Sequence, residues 1–548
     1  MSDDPSVNFV LDSAHAQKRS GTPLLLSPIQ KRLWFLSQFT GPSHILNLFR
    51  AWQLRGSTGG SELEQQLRKI IERHELLRAR FTVEAGAICQ VFDRPVDACV
   101  FMKSCRECEV KSIVQRERSH VFNVNEDALC RLMALSCIDT GRVYVLITLH
   151  QLIADDRSLT LLADDLQKYA VDVAQTPKGS FSKYSMEQNA LAEQEEYPSL
   201  LTFWRVSLQN IPALLTLPAE RARPPERTYR GGHLTAALRG DLIAGLPQLG
   251  NSHDLHLDDV FLASFMVLLN RYTRQEHIAV GTAIDYRTGE DARAVVGPLT
   301  NTLPVCGCVS DDPRVLDFIR QIARVREQVC RHGKLPFEQL VDELSMERNL
   351  SYAPVFQALM TVERDHEAGP AQWSPVDSSF EGSACIALYD LALKISMSSG
   401  GVSARLEYSC DLFEADWAEG LLAHYQQLLA AMVATPERRL SQLAMLSDVE
   451  RYRQIVLWND SGEAALENPA RHQEPTIVAL FEQQVERRPE AVALTLIADG
   501  QSGRQLSSHL TYDELERRAN RLARLLVQRD IGPESRVGIG TGRNLSMV

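Results

Sequence analysis

The sequence predicts an α/β protein that is built from more than one domain. The chain has 548 residues, which exceeds the usual size of one hydrophobic core, so we expect two to four domains of about 100–200 residues each. Helical and strand-like hydrophobic patterns alternate along most of the chain. The composition, with 44% hydrophobic and 23% charged residues, is that of an ordinary globular protein.

Two amphipathic helices are predicted after the polar segment 1–22, which we expect to be a flexible N-terminus. The stretch SPIQKRLWFLSQF begins with Ser27 as a helix cap and Pro28 in the first turn. The stretch SELEQQLRKIIERHELLRARF, residues 61–81, has apolar residues at helical spacing and predicts a second helix along its length.

A buried strand is predicted to run into a polar loop and then into a helix. The apolar run RVYVLITLH, residues 142–150, indicates a strand that is covered on both faces. A helical pattern follows in SLTLLADDLQKYAVDVA, residues 158–174. Since neighbouring residues of an extended strand point to opposite sides, only one of His150 and Gln151 can face a given cavity.

The loop also contains two adjacent aspartates, Asp155 and Asp156, directly before the helical pattern. Either carboxylate can cap the helix or join a buried ion pair. A structural, hydrogen-bonded role is likewise the simplest interpretation of His150. The loop alone is therefore a weak indication of catalysis.

Further along the chain, three features indicate how the domains are divided. The Pro- and Arg-rich stretch 217–233 interrupts the pattern and is a candidate crossover between lobes. The stretch LALKISMSSGGVSARLEYS predicts a hairpin with a Gly-rich turn. Residues 448–475 have the composition of a linker, and an amphipathic helix begins at Thr476, so we place a domain boundary there.

The bulk properties argue against several classes of function. A formal charge of −12, with no run of Lys and Arg, argues against binding to nucleic acid or to a membrane surface. The N-terminus lacks a secretory signal and no segment is apolar enough to span a membrane, so we expect a cytoplasmic protein. Among the 11 cysteines, Cys105 and Cys108 form a C-x-x-C motif, but no second ligand pair has suitable spacing, so no metal site is predicted.

A series of ordered motifs resembles the condensation domains of nonribosomal peptide synthetases. The motifs, in chain order, are LSPIQKRLWFLSQF, RHELLRARF, LHQLIADDRSL, VGTAIDYR with VVGPLTNTLPV, RHGKLPFEQLVDEL and NLSYAPVFQALM. Residues 476–548 resemble the beginning of an adenylation domain and end before its phosphate-binding loop, so this domain is expected to be incomplete.

The resemblance implies a specific architecture. Residues 23–220 and 221–447 would form two chloramphenicol-acetyltransferase-like α/β lobes, arranged in a V with a tunnel between them. The tunnel would admit the phosphopantetheine arms of carrier proteins, which carry the substrates, and no cofactor would be bound directly. The implied partners are aminoacyl or peptidyl carrier proteins and the downstream adenylation domain.

The resemblance also assigns positions in the active site. The family pattern H-H-x-x-x-D-G matches HQLIADD, so Gln151 occupies the position of the catalytic histidine and Asp156 that of the glycine. Asp155 would form a structural ion pair with Arg287. Further tunnel or motif positions are Ser27, Gln30, Arg73, Ser158 and Asn301.

Three functions are compatible with this altered loop. The favoured one is a domain impaired in amide-bond formation that has a recruiting or structural role, similar to X domains, whose H-R-x-x-x-D-D loop also lacks the second histidine. Such a domain would recruit a tailoring enzyme. The alternative is a condensation domain that still joins a thioester to an amine by positioning the substrates. The third is a heterocyclisation domain, whose D-x-x-x-x-D-x-x-S pattern resembles HQLIADDRS at Asp155 and Ser158 but needs an aspartate where His150 stands.

Overall fold

The structure is a computed structural model, and it divides the chain into two compact units, residues 1–450 and 451–548. The described residues are 23–41, 43–54, 60–84, 86–169, 179–287, 291–346, 349–364, 373–375, 385–398, 401–459, 476–498, 506–532 and 535–540. The predicted flexible segment 1–22 lies outside these residues. Within the described residues, no helix has the length and apolar character needed to cross a membrane.

Helices and strands alternate through both units. The α-helices are α1 Pro28–Thr40, α2 Gly60–Arg73, α3 Glu107–Arg118, α4 Asp156–Tyr169, α5 Phe181–Asn189, α6 Tyr197–Leu208, α7 Gly240–His253, α8 Leu257–Thr273, α9 Val315–Arg331, α10 Phe337–Glu343, α11 Ala415–Ala434, α12 Asp448–Tyr452, α13 Ile477–Arg487 and α14 Tyr512–Val527. The strands are β1 Leu24–Leu25, β2 Asn47–Leu54, β3 Arg80–Glu84, β4 Ala87–Val91, β5 Val100–Cys105, β6 Cys130–Cys137, β7 Val143–His150, β8 Arg230–Ala237, β9 His277–Asp285, β10 Thr300–Cys308, β11 Ala358–Arg364, β12 Trp373–Pro375, β13 Cys385–Ile386, β14 Leu391–Ser398, β15 Gly401–Ser409, β16 Val492–Ala498 and β17 Leu506–Thr511.

The first unit contains two large sheets, one for each lobe. The sheet of the N-terminal lobe has the strand order β12-β2-β7-β6-β5, and that of the C-terminal lobe has the order β10-β9-β11-β14-β15-β8-β13. A small sheet, β1-β4-β3, accompanies the first. Strand β7 lies in the middle of its sheet, and its apolar run is buried from Tyr144 to His150.

The two lobes exchange short pieces of chain. Strand β12, from the C-terminal half of the sequence, pairs with β2 of the N-terminal lobe. Val295, Val296 and Leu299 pack in the N-terminal core, whereas Trp204 of α6 packs in the C-terminal core. The lobe boundary at residues 220 and 221 therefore stays a prediction, because packing does not follow chain order.

The C-terminal core surrounds α8. This helix is apolar over most of its circumference, so it is buried from Asp259 to Leu269. Asp259 is the one charged residue in that buried run, and its carboxylate forms an ion pair with Arg326 of α9. The pairing satisfies a charge that would otherwise be costly to bury.

The prediction of one helix over residues 61–81 is wrong at its C-terminal end. Helix α2 ends at Arg73, a 3-10 turn covers Glu75–Arg78, and β3 begins at Arg80. His74 has an extended backbone, and its Nε2 lies 2.8 Å from Asp165 Oδ2 of α4. This tertiary contact and the pairing of β3 with β4 override the helical spacing.

Other predicted elements differ in their bounds. The irregular stretch predicted for 217–233 ends earlier, because Arg230 already begins β8 and pairs in the C-terminal sheet. The predicted hairpin is present as β14 and β15, with its turn residues 399–400 outside the described residues. The start of the predicted linker 448–475 is helical, since it contains α12.

The second unit is small. Thr476 caps α13 by accepting a hydrogen bond from the backbone N–H of Ala479. Strands β16 and β17 pair antiparallel, and a capping box of Thr511 and Glu514 begins α14.

Candidate functional site

The site is built where β7 ends and α4 begins. The backbone N–H of His150 donates to the Leu129 carbonyl oxygen at 3.0 Å, and that of Gln151 donates to the Leu46 carbonyl oxygen at 2.7 Å. A turn then leads to Asp156, the first residue of α4. These backbone bonds fix the direction in which each loop side chain points.

His150 is not among the residues that line the large cavity of the first unit, which has a volume of about 2050 Å³. Its side chain is almost fully buried beside Phe122, and its Nδ1 accepts a hydrogen bond from the backbone N–H of Leu152 at 3.1 Å. Burial lowers the pKa of His150 to about 4. It lines a separate small cavity of about 140 Å³. His150 is therefore a neutral, structural histidine.

Gln151 faces a different and much larger space. With Asp156, it lines a cavity of about 2050 Å³ whose walls come from both lobes. Within the described part of the chain, no hydrogen bond is formed by the Gln151 carboxamide, so its donor and acceptor groups are available to a ligand. Asp156 is exposed in the first turn of α4.

Asp155 holds the loop against the C-terminal lobe. Its Oδ1 and Oδ2 accept from Arg287 Nη2 and Nη1 at 2.8 and 2.9 Å. The carboxylate also accepts from the backbone N–H and hydroxyl of Ser158 at 2.9 and 2.7 Å, which caps α4. Three further donors are the backbone N–H groups of Leu299 and Thr300 and the Thr300 hydroxyl. Asp155 is thus both a helix cap and a connection between lobes.

Arg287 completes this network as a buried cation. Its side chain is 2% exposed, and it donates to Asp285 and to the carbonyl oxygens of Val295 and Gly297 as well as to Asp155. Burial opposes its charge, but the nearby Asp155 and Asp285 carboxylates raise the pKa of Arg287. Burial likewise opposes ionisation of Asp155, and the charge of Arg287 outweighs it, so the pKa of Asp155 is lowered.

The first motif supports the loop from the other side. Ser27 and Gln30 form a capping box at the start of α1. Gln30 Nε2 donates to Gln90 Oε1 at 3.0 Å and to the Leu152 carbonyl oxygen at 3.1 Å. Gln30 is fully buried, so it positions the loop and does not face the cavity.

Two other predicted positions also form supporting networks. Arg73 Nε lies 3.2 Å from Asp165 Oδ2, close to the contact of Asp165 with His74. Asn301 Nδ2 donates to the Gly333 and Leu335 carbonyl oxygens, and its Oδ1 accepts from the backbone N–H of Phe337 at 3.2 Å. Asn301 therefore fixes the segment that leads into α10.

Several contributors were not predicted from the sequence. Thr300 lies next to Asn301 in the motif VVGPLTNTLPV. This position within the motif is the sequence signal that could have identified Thr300 as a site residue. Arg32 of α1 and Glu338 of α10 line the large cavity and form an ion pair of 2.7 Å across the two lobes. Their meeting depends on how the lobes pack, which no local pattern encodes.

The cysteine pair of the C-x-x-C motif is separated in the structure. Cys105 is buried at the end of β5, 3.9 Å from Cys137 in sulfur-to-sulfur distance, whereas Cys108 is exposed on α3. No group of three or more His, Cys, Asp or Glu side chains in the described segments is arranged to hold a metal ion.

Comparison with known proteins identifies the family. Residues 22–455 match the model of the condensation domain, and residues 481–548 match that of the AMP-binding enzyme. The chain therefore belongs to the condensation domain family and continues into the start of an AMP-binding enzyme domain.

The similar proteins are much longer than this chain. It is 30% identical over 547 residues to part of a linear gramicidin synthase from Brevibacillus parabrevis, a match that covers 96% of this chain and 10% of that protein. It is also 30% identical over 559 residues to chondramide synthase cmdD from Chondromyces crocatus, covering 98% of this chain and 14% of that protein. The chain thus spans between a tenth and a seventh of the length of these two relatives.

Solved structures agree with this assignment. The X-domain in its complex with OxyB from teicoplanin biosynthesis is 25% identical, with a TM-score of 0.69, and the match covers 80% of this chain and 99% of that one. A four-domain nonribosomal peptide synthetase bound to AMP and glycine is 20% identical, with a TM-score of 0.72 over 94% of this chain and 40% of that one. The predicted fold, chloramphenicol-acetyltransferase-like lobes followed by part of an adenylation domain, is confirmed.

Proposed function

We propose that the first unit is a condensation-family domain impaired in ordinary amide-bond formation, and that its fold serves a recruiting or structural role in a peptide synthetase. The observation that carries this proposal is the carboxamide of Gln151 on the wall of the large cavity, at the position where the family has a catalytic histidine. The role of the domain then lies in what it binds.

The chemistry of condensation explains why this exchange matters. A neutral amine attacks the thioester carbonyl carbon, the C–N bond forms as the C–S bond breaks, and the amine proton finally reaches the leaving thiolate. A carboxamide cannot accept that proton at ordinary pH. Loss of a general base typically reduces the rate by about 10²–10⁴-fold. His150 is no substitute, because it is buried away from the large cavity and is already a weak base.

Asp156 acts in the same direction as Gln151. The glycine of the family pattern is replaced by a carboxylate that is exposed to the cavity in the first turn of α4. A negative charge near an amine favours the protonated form, which is not nucleophilic. The two exchanges together therefore favour binding of an amine over its reaction.

The likeness to the X-domain supports a recruiting role. That solved structure is a complex of an X-domain with OxyB. By analogy, the present domain would use its outer surface to recruit a tailoring enzyme, while carrier proteins would present their phosphopantetheine arms to the cavity. The downstream adenylation domain would be its covalent partner.

A second function is favoured by the carboxamide of Gln151, which has no hydrogen-bond partner among the described residues. A group with free donors and a free acceptor can hold an amine in line with a thioester, and positioning alone accelerates a reaction between bound partners. The domain would then be a slow condensation catalyst that needs no general base.

The test is a condensation assay with synthetic aminoacyl-pantetheine donor and acceptor. We would compare the unaltered protein, Gln151→His, and Gln151→His combined with Asp156→Gly. Thr160→Ala, on the same cavity wall and the same helix, is the matched control. We expect background rates from the unaltered protein and the control, and the largest gain from the double variant. Amide formation above background by the unaltered protein, abolished by blocking the cavity, would support positional catalysis instead.

A further inference from the structure

Two residues that line the large cavity, other than those of the loop, have buried polar atoms without hydrogen-bond partners among the described residues. Glu338 and Gln339 of α10 both line it. Glu338 Oε2 and Gln339 Oε1 are buried, and neither has a hydrogen-bond donor in the described part of the chain. Buried acceptors without donors are costly, so the presence of two of them on consecutive residues that line one cavity needs an explanation.

Glu338 is held in a defined position. Arg32 Nη1 donates to Glu338 Oε1 at 2.7 Å, which leaves Oε2 as the free oxygen. Asn301 binds the segment before α10 and accepts the backbone N–H of Phe337, so the start of this helix is fixed. The Glu338 side chain is 16% exposed. Its last torsion has a broad minimum, so a small rotation can present the free oxygen to a ligand.

The surroundings of Glu338 are polar. The hydroxyl of Tyr184, from α5 of the other lobe, is also buried without a partner in the described residues. Burial raises the pKa of Tyr184, and the charge of Glu338 adds to that effect, so the two groups lie within electrostatic reach. Within the described residues, Glu338 Oε2, Gln339 Oε1 and the Tyr184 hydroxyl thus all lack hydrogen-bond partners, and the first two belong to residues that line the cavity.

We propose that Glu338 and Gln339 form a binding site for the protonated primary amine of an aminoacyl group that enters the cavity. A ligand with several N–H donors would satisfy both oxygen acceptors, and a carboxylate forms its strongest hydrogen bonds with a charged donor. A primary ammonium supplies three such donors. This inference rests on the proposed function, because it assumes that the amine is bound in the cavity and does not react with a thioester.

The test uses two unreactive ligands that differ only in the amine. They are alanyl-pantetheine and propionyl-pantetheine analogues in which the thioester is replaced by an amide, so that no condensation can interfere. Titration calorimetry should show that the unaltered protein binds the alanyl analogue about 10- to 100-fold more tightly, the range expected for hydrogen bonds to a charged group. Equal affinity for the two analogues would overturn the proposal.

Variants distinguish recognition from a structural effect. Glu338→Gln should remove most of the preference while leaving affinity for the propionyl analogue within about twofold. Arg32→Gln breaks the same ion pair but frees both carboxylate oxygens, so the preference should persist or increase. Loss of preference in both variants would instead indicate that the ion pair only maintains the cavity, and would refute the proposal.

Gln339→Leu supplies a measurement that does not disturb the ion pair. It should reduce the preference for the alanyl analogue about three- to tenfold, as for loss of one hydrogen bond. An unchanged preference would limit the site to Glu338 and overturn the paired arrangement. Because the ligands are unreactive, these results are independent of the Gln151 assay, so a failure of this proposal is distinguishable from a failure of the proposed function.

Discussion

Replacing Asp155 with alanine is expected to destabilise the first unit by about 4 kcal/mol. The substitution leaves the Arg287 guanidinium buried, with a side chain that is 2% exposed, and with Asp285 as its one remaining ion-pair partner among the described residues. Removal of one partner from a buried pair costs about 3–5 kcal/mol, and the remaining ion pair with Asp285 places this case near the lower end, at about 3 kcal/mol. Loss of the helix cap that Ser158 completes adds about 1 kcal/mol. Urea unfolding, followed by circular dichroism and tryptophan fluorescence, measures the change.

Two further measurements test this reasoning about Asp155. The double variant Asp155→Ala with Arg287→Met should be more stable than Asp155→Ala alone, because it no longer buries a guanidinium that has lost its Asp155 partner. Since the folded-state pKa of Asp155 is lowered from 3.8, its contribution is fully present above pH 3.8 and is lost as the pH falls further. Asp155→Asn should lack this acid dependence. A loss below about 1 kcal/mol for Asp155→Ala would refute the argument.

Two other predictions concern groups behind the loop. Because burial lowers the pKa of His150 from 6.5 to about 4, the unfolded chain binds a proton first, and stability should fall by up to about 3 kcal/mol between pH 6.5 and 4. His150→Gln should abolish this pH dependence, and NMR titration of the ring should report the low pKa directly. Gln30→Leu should cost about 1–3 kcal/mol, because it leaves the Leu152 carbonyl oxygen without its donor. If Gln30 supports the loop, the Gln30→Leu variant should show faster hydrogen exchange at the loop amides. Unchanged exchange would contradict this supporting role.

The sequence predicted those parts of the site that depend on local chemistry. Ser27 and Pro28 identified the start of α1, and the apolar run before His150 identified a buried strand. Strand alternation correctly separated His150 from Gln151, which line different cavities. Each of these inferences concerns residues that are neighbours in the chain.

The sequence could not predict contacts that arise from tertiary packing. The helical spacing of residues 61–81 gave no sign that His74 would leave the helix to contact Asp165. The ion pair of Arg32 and Glu338 joins residues 306 positions apart and belongs to neither local pattern. The pairing of Asp155 with Arg287 was expected only through the resemblance to condensation domains.

Asp155 and Gln151 differ in how strongly they bind the loop to the rest of the domain, and this difference determines which of the two positions can change during evolution. Asp155 carries hydrogen bonds that connect the two lobes, whereas the side chain of Gln151 makes none with the described residues. A substitution at position 151 should therefore change the free energy of unfolding very little, whereas a substitution at position 155 should lower it. Under the proposed function, a single exchange at position 151 would remove one chemical step and leave the folded domain intact. The same difference predicts that Gln151→His can be introduced without disturbing the folded scaffold.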